Sequence, residues 1–455
     1  MGRGLLARRA ATGARLGVTV RGGPAIMKPR SALLAALVIT LLAARPHPLA
    51  GQEAVTLTLA TSEPARFQAS AARYMDANPD VTVRVLRVAS DDLALYQQAL
   101  AAHTPDIDLY DIEITWPGLF ARHLFDMHAA LPAEATGAFF PALIEAFTVD
   151  GRLVGLPYQI DAGVLYSRAD LLAKYGYDAP PATWDALTAM AAAIQEGERA
   201  AGNTAFWGYV WQGERYEGLV CNALEWQFVS GGGRILDASG QPEVNNAGTR
   251  AALARAAAWV GTISPPGVTT YVEEDARQVW RAGNAAFMRN WTYVAQDAAG
   301  SAGASDFIVS PLPAADAGAS GGCLRGRALA VSRYAPHLRE AMALAAFLAS
   351  EREQRLRALE HAVNPTLPAL YHDPDMLAVA PWLGPLEAAF TNAVARPANI
   401  AGAAYDAVAR AYAAAIHAAL TGEATPASTL ARLEEELTDI LHAETGIEPT
   451  ATPAD

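Results

Sequence analysis

The segment Ala54–Pro64 reads AVTLTLATSEP, with Val55, Leu57 and Leu59 on one side and Thr56 and Thr58 on the other. A period of two makes a strand, and the polar Ser-Glu-Pro after it makes a loop. From Phe67 to Asn78 the period changes. Phe67, Ala71, Tyr74 and Met75 share a helical face, and Pro79-Asp80 stops the run. VTVRVLRV from Val81 alternates again, Leu93–Ala102 is helix-like, and DIDLYDIEI from Asp106 reads as a third strand. Strand, helix, strand, helix, strand in this order predicts a parallel sheet with helices packed on it.

The order recurs downstream. VGLPYQIDAGVLYS (154–167) reads as strand-like pieces. Trp184, Leu187, Ala191 and Ile194 have helical spacing behind Thr183, a predicted N-cap. NAAFMRNW, DFIVSPLP and RALAVS read as strands, and from His337 onward the period is mostly helical. Two α/β lobes are predicted. No single Pro/Gly/Ser linker divides them, so the chain is expected to cross between lobes more than once.

The chain has 455 residues, 52% of them hydrophobic and 18% charged, ample for large cores. The first fifty carry eight basic and no acidic residues; setting them aside takes the formal charge from −13 to −21. A body this acidic is a poor match for nucleic acid or an anionic membrane. Met27-Lys28-Pro29-Arg30 followed by an apolar run, Ala32 to Ala44, has the make-up of a secretory signal, with cleavage expected between Ala44 and Ala54. Met27 is then the expected start, and an uncleaved anchor is the alternative. No other stretch is long and apolar enough to span a bilayer.

For chemistry the sequence is mostly negative: it holds no GxSxG, HExxH, P-loop or dinucleotide glycine fingerprint. His123 and His128 read as surface residues rather than metal ligands, and no cofactor is expected. Positive evidence lies in rings set beside planar polar groups. Tyr209–Trp226 (YVWQGERYEGLVCNALEW, containing Glu217), ITWPG with Trp116, PYQIDAG with Tyr158 and Asp161, and RNWTY with Asn290, Trp291 and Tyr293 share this make-up. A sugar offers an apolar face for a ring and hydroxyls for carboxylate, amide and guanidinium groups. Several of these segments follow predicted strands, where open α/β sheets bind ligands.

Together with DIEITWPGLFARHLFDM, LPYQIDAGVLYSRADLLAKYG, PPATWDAL, AAFMRNWTY and LYHDP, these segments resemble the extracellular solute-binding proteins of ABC sugar importers, in particular the trehalose/maltose-binding branch. The resemblance runs from about Val55 to His442. It implies the bilobal periplasmic-binding fold: two α/β lobes joined by hinge crossings, closing over a disaccharide or glucoside that is delivered to a membrane permease. It implies a periplasmic or extracellular monomer that is not an enzyme. The divisions it implies are a leader over 1–50 (signal 27–50), an N-terminal lobe of 51–160 plus 309–336, a C-terminal lobe of 161–308 plus 337–445, and a tail of 446–455. It assigns ligand contacts to Glu63, Glu113, Tyr158, Asp161, Trp291, Tyr293 and Arg396, with Trp291 as the stacking platform.

Two departures from the family bear on the ligand. Arg325, Gly326 and Arg327 stand where the family often has Gly-Gly-Trp, so Arg325 and Arg327 join the expected contacts. Asp91 and Asp92 stand where an arginine is common. An anionic sugar conjugate is therefore the alternative ligand. A glycoside hydrolase using Glu63 and Glu113 is the alternative of another class. Within the resemblance, Cys221 and Cys323 border the cleft. They are expected either to form a disulfide that ties the Gly321–Cys323 loop to the second lobe or to remain two buried thiols.

Overall fold

The computed structural model describes residues 54–89, 93–129, 131–295, 307–315, 320–381 and 383–445. The expected leader and cleavage site, Asp91 and Asp92, and the tail fall outside them. Among the described residues no helix is long and apolar enough to cross a membrane.

In chain order the elements that position the site are β1 (Val55–Thr61), α1 (Ala65–Ala77), β2 (Val81–Arg87), α2 (Leu93–Ala101), β3 (Leu109–Glu113), α3 (Pro117–Phe120), α4 (Pro141–Ala146) and β4 (Leu156–Arg168). There follow α5 (Trp184–Ala200), β5 (Trp207–Val210), α6 (Glu217–Val229), α7 (Ala247–Trp259), α8 (Glu273–Arg281), β6 (Ala285–Trp291), β7 (Phe307–Pro311) and β8 (Leu324–Val331). The rest are helices: α9 (Leu338–Leu348), α10 (Glu351–His361), α11 (Leu383–Thr391), α12 (Ala398–Ala401), α13 (Tyr405–Leu420) and α14 (Pro426–Thr445).

The β1–α1–β2–α2–β3 order forms as read, with β1 parallel to both β2 and β3. Thr183 caps α5 through its Oγ1, which accepts from Ala186 N at 3.1 Å. The strand-like pieces of 154–167 are instead one thirteen-residue strand, β4. Its first half pairs antiparallel with β8, and its second half lies between β6 and β7. One strand thus runs through the middle of both halves of a sheet ordered β2-β1-β3-β8-β4-β6-β5. β4 is buried on both faces, which erases the alternation that would have shown it as one element.

Two hydrophobic cores lie on this frame. The first gathers β1, β3 and β8 with α1 and α9; the second gathers α5, α6, α7, α13 and α14. Ala341, Leu344, Leu348, Leu386 and Phe390 pack in the first core. β7 pairs with the second half of β4. Helical period shows that α9 has an apolar face, but not which sheet that face meets. The chain therefore crosses through β4, again ahead of β8, and again after α11, where Val394 pairs with Cys323.

The aromatic stretch 209–226 serves mostly as core. Trp211 and Trp226 are buried and meet edge to face at 5.0 Å, and Trp226 meets Trp259 at 5.8 Å.

Candidate functional site

Charged residues collect at the carboxyl end of β3. Asp111 and Glu113 are two apart on a strand and share a face, as do Arg325 and Arg327 on β8. Register sets Arg327 opposite Glu113 on one side and Gln159 on the other, and sets Arg325 opposite Asp161. Arg327 Nε donates to Asp111 Oδ1 at 2.8 Å, Nη2 to the Asp111 carbonyl at 3.2 Å, and Nη1 to Glu113. Burial pulls the Arg327 guanidinium down, but Asp111 and Glu113 outweigh it and hold the pKa well above the usual arginine value. Asp111 is fully buried and also accepts from Thr61 Oγ1 at 2.7 Å and Tyr158 OH at 2.9 Å.

Tyr158, an expected contact, is thus a buried prop whose hydroxyl is already given to Asp111. Arg325 differs from Arg327. Its side chain is 43% exposed, 3.9 Å from Glu113, and its Cζ lies 5.8 Å from the Trp291 ring centre. Burial lowers its pKa, but Glu113 and Asp161 raise it further. Glu63 sits exposed after β1, 3.9 Å from Arg66, whose Nη1 donates to Gln159 at 2.7 Å.

The end of β6 supplies the facing group. Trp291 Nε1 donates to Glu273 Oε1 at 2.9 Å, and Tyr216 OH donates to Glu273 Oε2 at 2.6 Å. Burial pushes the Glu273 carboxyl up, but those two hydrogen bonds prevail and its pKa lies below the usual value. Arg289 Cζ lies over the Trp291 ring at 4.2 Å. Asn290 is buried and binds Trp291 N through Oδ1 at 2.9 Å and the Glu273 carbonyl through Nδ2 at 3.2 Å. Tyr293 is half-buried; burial first, then Glu273 and Asp161, push its phenol up.

Asp161 is buried and accepts from Thr292 N at 2.9 Å, from Thr292 Oγ1 and from Ala162 N at 3.1 Å. All three hydrogen bonds fall on Oδ1. Burial raises its pKa against those hydrogen bonds and Arg325. A raised folded-state value means that folding binds the proton more tightly. The stability this gives is present at low pH and is lost as pH rises through the folded-state value. Asp161→Asn stays neutral, so its melting temperature relative to the parent chain is expected to climb from pH 4 to pH 7; a parallel pair of curves would refute this.

Arg396 is nine-tenths buried between α6 and β8. It donates to Glu217 through Nη1 and to the Leu324 carbonyl through Nη2 at 3.5 Å, while Tyr405 OH donates to the same Glu217 oxygen. Beneath it lies a fully buried ion pair. Arg289 Nε donates to Glu225 Oε2 at 2.9 Å and Nη2 to Oε1, and Arg289 Nη1 binds Gln212 at 3.0 Å. Gly163, where β4 changes partners, must be glycine: a Cβ there would overlap Glu225 and stand 2.6 Å from Arg289 Nη2.

Cys221 and Cys323 are both buried and stand as two unbridged thiols in this structure. They are neighbours, as burial and a hydrogen bond with Cys221 raise the Cys323 thiol. Exchange needs an accessible thiolate, and this environment supplies neither access nor charge.

Glu113, Asp161, Trp291, Tyr293, Arg325 and Arg327 therefore meet around Arg325. Trp291, expected to line an open gap, is only 3% exposed, packed against Glu273 and Arg289. Trp116 packs edge-on against Tyr96 at 5.8 Å and Phe120 at 6.1 Å. The Gly326 carbonyl accepts from Ile114 N at 3.0 Å, and its missing Cβ clears Leu143 and Gln159.

Asp111, Tyr216, Glu225, Glu273 and Arg289 escaped sequence reasoning. Asp111 carried a signal, its period-two spacing from Glu113. Glu273 carried none, because an acid in a helix's first turn is ordinary.

Residues 60–355 match the family model described as bacterial extracellular solute-binding protein. A probable ABC transporter-binding protein of Deinococcus radiodurans is 43% identical over 422 residues, covering 91% of this chain and 99% of its own length. A mannitol-binding protein of Pseudomonas aeruginosa is 26% identical over 294 residues, 60% of this chain and 64% of that one. Among solved structures, maltose-bound MalE3 of T. maritima is 34% identical with a TM-score of 0.73, over 85% of this chain and all of that one. A cyclic alpha-maltosyl-1,6-maltose binding protein of Arthrobacter globiformis shares the fold at 22% identity and TM-score 0.74, over 86% and 99%.

Proposed function

The chain belongs to the bacterial extracellular solute-binding proteins, and from that premise we propose that it is an exported, monomeric receptor for a small neutral glycoside of the maltose or trehalose kind. It captures the sugar between its lobes and delivers it to an ABC-type permease; it is not an enzyme. The observation that carries the ligand class is the pairing of charges around Arg325. Arg289 holds Glu225, Arg327 holds Asp111 and Glu113, Arg396 holds Glu217, and Arg325 stands 3.9 Å from Glu113.

Of the arginines that pointed to an anionic conjugate, Arg327 and Arg396 each hold a protein carboxylate, and Arg325 stands 3.9 Å from Glu113. An anionic ligand would have to compete with the protein carboxylates that already hold these guanidinium groups. A sugar's hydroxyls, by contrast, find acceptors in Glu113 and a donor in Arg325, within reach of the Trp291 ring. Glu113 is locked to two arginines and Glu63 lies beside Arg66, an arrangement that supplies no free acid for glycoside cleavage.

A thermal-shift panel of maltose, trehalose, mannitol, glucuronate and glucose 6-phosphate tests this. Ligands that bind only the native state raise the melting temperature by mass action. Maltose or trehalose is expected to give the largest rise. A rise with the two anions alone would overturn the neutral assignment.

A further inference from the structure

The ladder between β4 and β8 carries one irregularity, and it lies beneath the charged cluster. Arg327 pairs with Gln159 while its neighbour Ala328 pairs with Pro157, so Tyr158 is an extra residue on β4. Proline has no N–H to give to a ladder, and a bulge re-aims the side chains beside it. In an even strand Tyr158 and Gln159 would point to opposite faces. Here the Tyr158 hydroxyl reaches Asp111, the residue that holds Arg327, and donates to its Oδ1 at 2.9 Å. Phe67 meets the Tyr158 ring edge-on at 5.0 Å, and Arg357 Cζ stands 5.3 Å from its centre.

Asp111 is thereby fixed from three strands: Thr61 on β1 donates to Oδ2, and Tyr158 on β4 and Arg327 Nε on β8 donate to Oδ1. The Asp111 carboxylate and carbonyl take Nε and Nη2 of Arg327, which lays the guanidinium along β3 with Nη1 on Glu113 Oε1. Arg325 Nη2 addresses the same oxygen from 3.9 Å. Among the described residues no hydrogen bond falls on Glu113 Oε2, and the side chain keeps 20% of its surface exposed.

We infer that the Asp111–Arg327 pair, propped by Tyr158, positions Glu113 for ligand: it pins one carboxylate oxygen and leaves Oε2 as the acceptor for a sugar hydroxyl, while Arg327 itself does not touch the sugar. This rests on the receptor reading, in which Glu113 is a sugar contact. A glutamate side chain held in one rotamer before the ligand arrives does not lose that freedom on binding. Arg327, expected from the sequence to be a contact, acts through Glu113 instead.

Two variants loosen Glu113 in different ways. Asp111→Asn/Arg327→Met removes both charges together and strands neither. Arg327→Lys keeps a charge beside Asp111 but loses the fork that spans two carboxylates. Each is titrated calorimetrically with maltose in the parent chain and in a Glu113→Ala chain. In the parent, the double variant is expected to lose about tenfold in affinity, the worth of one charged hydrogen bond, and Arg327→Lys to lose affinity in the same direction. In the Glu113→Ala chain neither is expected to cost more than about twofold, because the group they position is gone. A sugar-free crystal structure of Arg327→Lys is expected to show the Glu113 carboxylate in another rotamer than in the parent chain.

Losses that add in full to that of Glu113→Ala would mean that Arg327 touches the sugar, and they overturn the inference. So does affinity kept by both variants in the parent chain, or a Glu113→Ala chain that binds maltose as the parent does. A Glu113 carboxylate unmoved in Arg327→Lys also overturns it. Should the double variant fail to fold, Arg327→Lys carries the test alone. A parent chain that binds no sugar of the thermal-shift panel defeats the receptor reading, and the sugar-free crystal structures then decide the positioning by themselves.

Discussion

Replacing Glu225 with Ala is expected to destabilise the sugar-free chain by about 3–5 kcal/mol, the usual result of removing one partner of a buried ion pair. Both side chains are fully buried, and their fork-to-fork geometry uses two guanidinium nitrogens on two carboxylate oxygens. Without Glu225, the Arg289 charge retains only Gln212 at Nη1, and Cys323 N loses its acceptor, 2.9 Å away. The cost is therefore the stranded charge and the orphaned amide together, more than the pair's net worth.

That distinction is testable. Glu225→Leu combined with Arg289→Met removes both charges and keeps apolar volume, and is expected to recover most of the loss. Urea titration of the parent, single and double variants reads it; a single variant within 1 kcal/mol of the parent would show that water reaches Arg289. The pair ties α6, β6 and the start of β8 together beside Gly163, where β4 passes from one sheet half to the other. Glu225→Ala is thus expected to loosen the crossing as well as the second lobe.

How far the sequence led can be followed along β1 and β4. Val55, Leu57 and Leu59 alternate with Thr56 and Thr58, and that beat makes the strand legible although β1 is buried on both faces from Leu57 onward. β4 reads as fragments in the sequence because its residues are buried on both faces as it serves both halves of the sheet, so no polar beat marks its length. The core that 338–391 packs into is not legible for another reason: a helix's stripe records that it is amphipathic, not its partner. At the site, Glu113, Arg325 and Arg327 were found one by one, yet their balance was not, because Arg327 meets Asp111 across more than two hundred residues of chain. A guanidinium counted as a ligand group in one dimension is an internal ion pair in three.

Trp291→Leu is expected to lower maltose affinity by about 2 kcal/mol, roughly thirtyfold, with a smaller loss of stability. The indole is held at both ends. Glu273 fixes its Nε1 at 2.9 Å, and Arg289 lies over its face at 4.2 Å, on the residue where β6 meets Gly163 of the crossing strand. Arg325, 43% exposed, approaches from the other lobe's strand at 5.8 Å. In the proposed complex, a sugar whose apolar side lies on this ring and whose hydroxyls reach Arg325 and Glu113 would be gripped by both lobes at once, and closure would be favoured by that grip. Leu keeps much of the apolar volume, so the second core is largely refilled, but it offers no flat face and no N–H for Glu273. Glu273→Gln is expected to act in the same direction and more weakly, since a carboxamide still accepts from Nε1 but loses the charge that strengthens the bond. Calorimetric titration of the three chains with maltose, set beside their sugar-free melting temperatures, separates the roles. Affinity lost with stability nearly kept makes Trp291 the platform; stability lost with affinity kept makes it a core ring and leaves Arg325 and Glu113 without their stacking partner.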